Sequence, residues 1–369
     1  MNLCTLIGLP IGGDWPFKVK SPSAPTRLNG LFAALALVGH SLTAQPTSRL
    51  DSVPLLDATR LVGSLAALAA DSMEGRRTGT PGAAMARAYL LREFARIGLH
   101  PALERFTIPF SARSRIAERP PIPPPSFPSR PGSSSRESAL SSSFYPTMFG
   151  TNLVGLVRGT AHPDRYIVVS AHYDHLGVTN GEIYHGADDN ASGTAAVLAI
   201  AEWTVTHPPL NSILFAWFDG EEEGELGSSA FVAHSPVPVA QIAADVNVDM
   251  VSRSSRGELF AAGARPYPVM RPLLDSVAAI NLITLRQGHD GDSSEEDWTH
   301  RSDMGPFHDK HIPFVHFGVE EHADYHRPSD TADHIHPAFY YRSVRTIAEF
   351  IRRLDISLDR VASVRNGRE

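Results

Sequence analysis

Two histidines and three acidic residues lie where this sequence could bind a metal ion. His172 follows the apolar run YIVVS, Glu222 follows SILFAWF, Asp249 and His326 follow two further apolar runs, and Asp189 precedes an alanine-rich stretch. Imidazole and carboxylate donors without thiolate are typical of catalytic zinc sites, and manganese or cobalt accept the same donors. Five ligands are more than a single zinc ion with an open coordination position would bind. If one carboxylate bridges, they suit two metals about 3.5 to 4 Å apart.

Each of these residues has a simpler interpretation when it is taken alone. A charge run such as EEE at 221–223 is usually a solvated turn, and an aspartate before a helix commonly caps its free N–H groups. The chain has 17 histidines, so a single one is weak evidence. Asp174, two residues after His172, can point the same way in extended chain and hold the second imidazole nitrogen. The shared position of the set, at strand and helix ends, is the stronger signal.

Short apolar runs alternate with helical stretches from Thr151 onward. Runs rich in β-branched and aromatic residues, separated by helices, predict an α/β protein whose sheet is covered on both faces. In such sheets, sites form beyond the carboxyl ends of the strands. We predict strands at 153–157, 166–170, 213–218, 240–248 and 314–319, and a helix at 191–207.

The segment before this alternation is predicted to be largely helical. Apolar residues at helical spacing predict helices at 50–68 and 81–99, the second closed by Gly98, and a short strand at 106–110. Residues 119–143 are rich in proline and serine, a composition that buries too little apolar surface to order itself. We interpret 119–143 as an insertion, and a passive surface loop is favoured over a lid above the site.

The N-terminal residues have the order of a secretory signal. Arg27 precedes the apolar run LFAALALVGHSLTA, and small residues then predict cleavage near Ala44. The run is short for a membrane span, so none is expected in the mature form. The single cysteine, Cys4, lies in this leader. We expect a leader at 1–44 and an exported protein, periplasmic or secreted, at 45–369; the alternative is a cytoplasmic protein with a buried N-terminal helix.

Composition excludes several other classes. Over 369 residues, the hydrophobic content of 42% and charged content of 20% describe an ordinary globular protein. A net charge of -7 gives no basic surface for nucleic acid, and no GxxxxGK or GxGxxG loop is present. A serine triad is not excluded by counting residues, but no GxSxG motif occurs.

Five motifs in order resemble one known family. The motifs AHYDHLGV, GADDNASG, EEEGELGS, NVDM and YHRPSDTAD are similar to those of the co-catalytic two-zinc aminopeptidases, the superfamily of bacterial leucyl aminopeptidases, glutamate carboxypeptidase II and glutaminyl cyclase. Residues 50–102 resemble the helical lead-in of its exported bacterial members. The resemblance implies a zinc exopeptidase-like fold, a three-layer α/β/α sandwich with a central mixed, mostly parallel sheet.

The resemblance also implies a ligand set. Asp189 would bridge two Zn²⁺ ions, with His172 and Asp249 completing one site and Glu222 and His326 the other. The adjacent Asp188 does not match the bridging position.

Further roles follow from the same motifs. Glu221 would be the general base, Asp174 would orient His172, and Tyr325 would polarise the substrate carbonyl. Glu223 has no motif role, so a solvated turn residue is expected. Met304 replaces a histidine that in many relatives lies near the substrate, which bears on specificity more than on catalysis.

The implied function is an exported zinc-dependent exopeptidase, an aminopeptidase acting on peptides with a free N-terminus. Three alternatives stay open: a single-zinc glutaminyl cyclase-like acyltransferase, a carboxypeptidase-type specificity on the same metals, and a silent binding module. The preferred residue and the oligomeric state are left open by the sequence.

Overall fold

A computed structural model describes residues 53–115, 145–291 and 296–365. The chain divides into two units, 1–48 and 49–369, and the first lies outside the described residues. The predicted leader at 1–44 and the predicted insertion at 119–143 also lie outside them, so both stay predictions. Within the described residues, no helix has the length and apolarity needed to cross a membrane.

Two helices open the described chain, each with a recognisable cap. Helix α1 (Ala58–Leu68) begins after Asp57, whose side chain accepts a hydrogen bond from the Arg60 N–H. Helix α2 (Pro81–Ile97) begins after Thr80, with proline at its first position, and Gly98 ends it at a φ of 72°. Both predicted helices are confirmed, although α1 begins eight residues later than the predicted 50.

A central sheet of nine strands forms the body of the described chain. In chain order its strands are β1 (His100–Pro101), β2 (Thr107–Arg113), β3 (Thr147–Val157), β4 (His162–His172), β7 (Asn211–Phe218), β8 (Ile242–Val248), β9 (Glu258–Ala262), β10 (Thr284–Gln287) and β11 (Phe314–Gly318). Strands β5 (Gly177–Thr179) and β6 (Glu182–Tyr184) pair separately.

The sheet order is β1-β3-β7-β4-β8-β11-β9-β10, with β2 paired to β3. Strands β7, β4, β8 and β11 are mutually parallel in the centre, while β3 and β9 run antiparallel to their central neighbours. Because parallel strands end at the same edge, the segments after the four central strands meet there.

Helices cover both faces of the sheet. Strand β7 shows why, because Ile213, Phe215 and Trp217 join one buried cluster while Leu214 and Phe218 join the other. The larger cluster packs under five helices: α1, α2, α3 (Gly193–Thr206), α5 (Arg271–Ala278) and α7 (Pro337–Arg365). The smaller cluster packs under two helices, α4 (Leu226–Ala233) and α6 (Gly305–Asp309). The predicted α/β/α fold with a mixed, mostly parallel sheet is confirmed.

Candidate metal centre

All five predicted ligands meet at the carboxyl edge of the central strands. His172 is the last residue of β4, and Asp249 is the first residue after β8. Glu222 lies in the turn after β7, His326 in the loop after β11, and Asp189 in the turn at Ala187–Ser192 that precedes α3. The parallel strands therefore bring together residues that are far apart in sequence.

The first group consists of His172, Asp189 and Asp249, whose potential ligand atoms all lie within 4.8 Å of one another. His172 Nε2 lies 3.4 Å from Asp189 Oδ1 and 3.3 Å from Asp249 Oδ1. Ser302, which the sequence reading missed, donates its hydroxyl to Asp249 Oδ2 at 2.8 Å. One oxygen of Asp249 thus faces the group while the other is held in place.

The second group lies on the other side of Asp189. His326 Nε2 is 3.0 Å from Asp189 Oδ2 and 3.3 Å from Glu222 Oε2. Asp189 Oδ1 faces the first group and Oδ2 faces the second, so this carboxylate has the arrangement that a bridging ligand needs. Its peptide bond to Asn190 is cis.

The donor chemistry of both groups fits zinc. Each group offers an imidazole nitrogen and carboxylate oxygens, which are standard zinc donors. Asp189 is 3% exposed and His172 is fully buried, and buried charges of this kind are normally paired or bound to metal. The residues present therefore suit a pair of dications that share Asp189.

The charge balance of the metal-free groups supports this fit. Burial lowers the pKa of His326, but hydrogen bonds to Asp189 and Glu222 outweigh burial and raise it to about 10. Burial raises the pKa of Glu222, as does Asp189, yet His175 and His326 bring it down to about 2. The pKa of His172 is also raised well above its usual value, against the effect of burial, chiefly by Asp249. The surrounding carboxylates thus favour the charged form of both histidines in the metal-free groups.

Glu221 differs from its neighbour Glu222. It is outside both metal groups but lines the same cavity. Burial raises the pKa of Glu221 well above its usual value; His172 opposes this, and the charges of Glu222 and Asp249 add to it. A carboxyl group with a raised pKa beside a metal centre is suited to accept and return a proton.

Asp174 connects the first ligand to the glutamate turn. Its carboxylate accepts hydrogen bonds from the N–H groups of Glu221, at 3.1 Å, and Glu222, at 3.3 Å. Its Oδ1 lies 3.6 Å from Nδ1 of His172, while the main-chain oxygen of Asp174 is closer, at 3.2 Å. Thr78, missed in the sequence, donates to the same carboxylate at 3.2 Å. The Asp174 carboxylate therefore holds the main chain of the two glutamates, whereas the hydrogen-bond contact to His172 comes from the Asp174 main-chain oxygen.

The expectation that Glu223 is a solvated turn residue is wrong. Glu223 is 6% exposed. Its Oε1 pairs with the Arg77 guanidinium at 3.0 Å, and the Ser114 hydroxyl donates to its Oε2 at 2.9 Å. These partners are distant in sequence, and their pairing anchors the turn that carries Glu221 and Glu222.

Asp188 turns away from the ligands, as its motif position implies. Its Oδ1 accepts hydrogen bonds from the main-chain N–H and hydroxyl of Ser252, both at 2.7 Å, and its Oδ2 lies 3.1 Å from His322 Nε2. Met304 is fully buried in the larger core cluster, outside the cavity lining. Met304 therefore makes no direct contact with the cavity that would support its expected effect on specificity.

Two residues that sequence reasoning missed hold the ligand loops. Arg76 is fully buried and donates to four main-chain carbonyls, including those of Tyr173, which follows His172, and Gly186, three residues before Asp189. His175 is fully buried with Nδ1 2.7 Å from Glu222 Oε1. His175 lies inside the motif AHYDH, but its spacing in the sequence does not distinguish it from an ordinary turn residue.

A cavity of about 420 Å³ opens over the metal groups. One wall is apolar, with Met250, Trp298 and Val319, and the Trp298 ring stacks on His289 at 3.8 Å between centroids. Tyr325 also lines the cavity, and its ring stacks on His326 at 3.9 Å. Further acidic residues line the cavity, namely Glu225, Glu296, Glu320 and Glu321.

The fold and the paired histidine and carboxylate groups define an α/β protein with a metal centre at its sheet edge. A family model described as Peptidase family M28 matches residues 152–351, more than half of the chain. The chain belongs to peptidase family M28. The predicted family is therefore confirmed, and so, at the level of the family, is the expectation of a metallopeptidase.

Curated relatives match part of the chain. A probable zinc metalloprotease of Pyrenophora tritici-repentis is 33% identical over 149 residues, covering 39% of this chain and 34% of its own length. Aminopeptidase YwaD of Bacillus subtilis is 29% identical over 216 residues, covering 54% of this chain and 44% of its own. The chain thus spans less than half the length of these relatives.

Solved structures show the same fold at low identity. The zinc aminopeptidase BSAP from Bacillus subtilis superposes with a TM-score of 0.59 at 16% identity, covering 82% of this chain and 96% of that one. The glutaminyl cyclase of Porphyromonas gingivalis gives a TM-score of 0.61 at 16% identity, covering 81% and 99%. These similarities support the fold alone.

Proposed function

We propose that this protein is a zinc-dependent aminopeptidase that removes N-terminal residues from peptides. The observation that carries the proposal is Glu221, a partly buried carboxyl group that lies outside both metal groups yet lines their cavity. The relatives named as a zinc metalloprotease and an aminopeptidase support the same reading.

Five residues would hold the metal ions. His172 and Asp249 would bind one zinc, Glu222 and His326 the other, and Asp189 both. Bound zinc supplies Lewis acidity and a water-derived nucleophile at neutral pH.

Glu221 would act as general base and then as general acid. Its carboxylate takes a proton from the attacking water and delivers it to the nitrogen of the leaving amine. Burial raises the pKa of Glu221, and dications held nearby would favour its ionised form. Asp174 holds the Glu221 N–H and so fixes where the carboxylate can reach.

Tyr325 would stabilise the developing oxyanion. Its ring is stacked on His326 beside the second group, and the hydroxyl can donate to the substrate carbonyl oxygen as negative charge grows there. Burial and the charge of Asp189 raise the pKa of this phenol, so it stays protonated at neutral pH.

The charge of the cavity favours a free N-terminus over a free C-terminus. Five glutamates outside the ligand set, Glu221 among them, line it, and Arg301 is the single lysine or arginine among the described lining residues. Arg301 already pairs with Glu296 and, at 3.0 Å, with Glu321. A substrate ammonium is attracted by this wall, whereas a terminal carboxylate is not. This argues against carboxypeptidase specificity.

A glutaminyl cyclase-like acyltransferase is the competing function, since such an enzyme shares the fold. Both metal groups are complete here, which favours two ions and peptide hydrolysis. A silent binding module is disfavoured for the same reason.

Export is part of the same proposal. Its support is the order Arg27, apolar run and small residues near Ala44. N-terminal sequencing of protein recovered outside the cytoplasm is expected to begin after Ala44, and an intact Met1 there contradicts export.

The deciding experiment is a substrate panel. Aminoacyl anilides, their N-acetylated forms and N-terminal glutaminyl peptides are compared with the same protein loaded with zinc or stripped by chelator. Hydrolysis confined to free N-termini, lost on stripping and restored by zinc, supports the aminopeptidase. Cyclisation of glutaminyl peptides with one zinc per chain supports the cyclase.

A further inference from the structure

His175 is outside the predicted ligand set, but its potential ligand atom lies within 4.8 Å of those of Asp189 and Glu222, in the second metal group. The side chain is fully buried, and Nδ1 is 2.7 Å from Glu222 Oε1 and 3.7 Å from Asp189 Oδ2. Its Nε2 has no hydrogen-bond partner within the described part of the chain. The position leaves two possible roles, a further metal ligand or a hydrogen-bond donor to Glu222.

The two oxygens of Glu222 distinguish these roles. Glu222 Oε2 is 3.3 Å from His326 Nε2. Two donors at about 2.0 to 2.1 Å from a tetrahedral zinc lie about 3.3 Å from each other, so this oxygen has the spacing of a ligand. Oε1 lies 2.7 Å from His175 Nδ1, which is the distance of a charge-assisted hydrogen bond. Oε1 is therefore bonded by protein, and Oε2 is left for the metal.

The imidazole of His175 is held in one orientation. Gly186 has a φ of +56°, and a Cβ there would come within 2.5 Å of Cγ and Cδ2 of the His175 ring. Arg76 donates to the Gly186 carbonyl at 2.9 Å and to the Tyr173 carbonyl at 2.8 Å, which fixes the backbone on both sides of the ring. The ring packs directly on a backbone that only glycine allows.

We propose that His175 is a positioning residue, which donates its Nδ1–H to Glu222 Oε1 and so holds Glu222 as a one-oxygen ligand through Oε2. The inference deepens the proposed function and rests on a metal binding at the second group. Partners that hold a ligand in this way typically change metal affinity by about 10- to 100-fold when removed.

Zinc affinity of the metal-free protein, measured by competition with a chromogenic chelator and without substrate, tests the role. His175→Asn places an amide donor near the position of Nδ1, whereas His175→Phe keeps a ring without a donor. We expect His175→Phe to weaken zinc binding by about 10- to 100-fold and His175→Asn to stay within a few fold of the wild type. Unchanged affinity in His175→Phe, or equal losses in both variants, overturns the proposal.

The zinc-loaded crystal structure gives a second measurement. A distance of more than about 3 Å between His175 Nδ1 and zinc agrees with a positioning role. A distance of about 2.0 to 2.1 Å makes His175 a ligand and overturns the proposal. If circular dichroism shows that His175→Phe does not fold, His175→Gln replaces it, because its amide reaches beyond the Nδ1 position. Failure of the aminopeptidase assay leaves these affinities unaffected, so the two proposals fail separately.

Discussion

The carboxylate of Asp330 accepts a hydrogen bond from the main-chain N–H of Asp189, at 3.1 Å. The same carboxylate accepts from the N–H of Asp188 at 3.0 and 3.1 Å. Asp330 follows His326 by four residues, so this contact ties the loop of one ligand to the turn of the bridging ligand. Burial, with the charge of Asp188, raises the pKa of Asp330 to about 6, and the N–H groups oppose that rise.

Asp330→Ala is expected to weaken zinc binding by about 10- to 100-fold, because the turn at Asp189 loses the acceptor that fixes it. Competition with a chelator measures the affinity directly. Asp333→Ala is the matched control, since Asp333 is exposed on the same loop and bonds only locally to Thr331. Equal zinc affinities for the two variants would show that the contact between Asp330 and the Asp189 turn does not support metal binding.

Glu221→Gln is expected to keep its zinc and lose roughly 10²- to 10⁴-fold in kcat, because the amide cannot accept the proton of the attacking water. KM should change much less. Steady-state kinetics and elemental analysis on the same preparation measure both quantities. Glu320→Gln, a lining residue on the cavity wall, serves as the control for charge alone. A normal kcat in Glu221→Gln would show that Glu221 is not the general base.

That the candidate ligands meet at one edge of the sheet could be expected from the sequence, because most of them lie at or just after the end of a strand. His172 and Asp249 directly end or follow buried strands, and parallel strands bring their carboxyl ends together. The covering of the sheet by helices on both faces also follows from the alternation of short apolar runs and helical stretches.

The contacts that hold the ligands could not be predicted in the same way. Glu223 is buried because Arg77 and Ser114 pair with it, and these lie 146 and 109 residues away in sequence. A run of three glutamates has the same composition whether it is solvated or buried. His175 likewise differs from an exposed turn histidine only in the tertiary contacts of its ring.

The pH dependence of metal binding follows from His326. Its pKa is raised to about 10 in the metal-free protein, above an unfolded value of about 6.5. A raised pKa contributes stability that is complete below about pH 6.5 and is lost as the pH rises toward 10. Zinc requires the neutral imidazole, so it competes with this proton and binds more tightly as the pH rises.

The increase in Tm on adding zinc should therefore grow between about pH 6.5 and 8.5. Thermal unfolding with excess zinc or excess chelator at each pH measures it. His334→Gln, whose histidine pairs with Asp324 on the same loop, is the control and should keep the slope. A zinc-induced increase in Tm that is constant over this range contradicts the assignment of His326.

Arg76 stabilises the fold beneath the metal centre through main-chain contacts. Its guanidinium donates to the carbonyls of Leu68 and His185 at 2.7 Å, Tyr173 at 2.8 Å and Gly186 at 2.9 Å. Burial lowers the pKa of Arg76 to about 10 while Asp189 and Asp174 oppose this, so the group stays charged at neutral pH.

Arg76→Met is expected to lower the free energy of unfolding by about 4 kcal/mol, since four carbonyls lose a charged donor at about 1 kcal/mol or more each. Urea unfolding of chelator-treated protein measures this without a contribution from zinc. Arg92→Met, an exposed position on α2, should change stability by less than about 0.5 kcal/mol. Similar unfolding midpoints for the two variants would show that the carbonyls find other donors and that Arg76 is dispensable to the fold. Arg76→Lys should lie between the wild type and Arg76→Met, because an ammonium has three donors where the guanidinium has five.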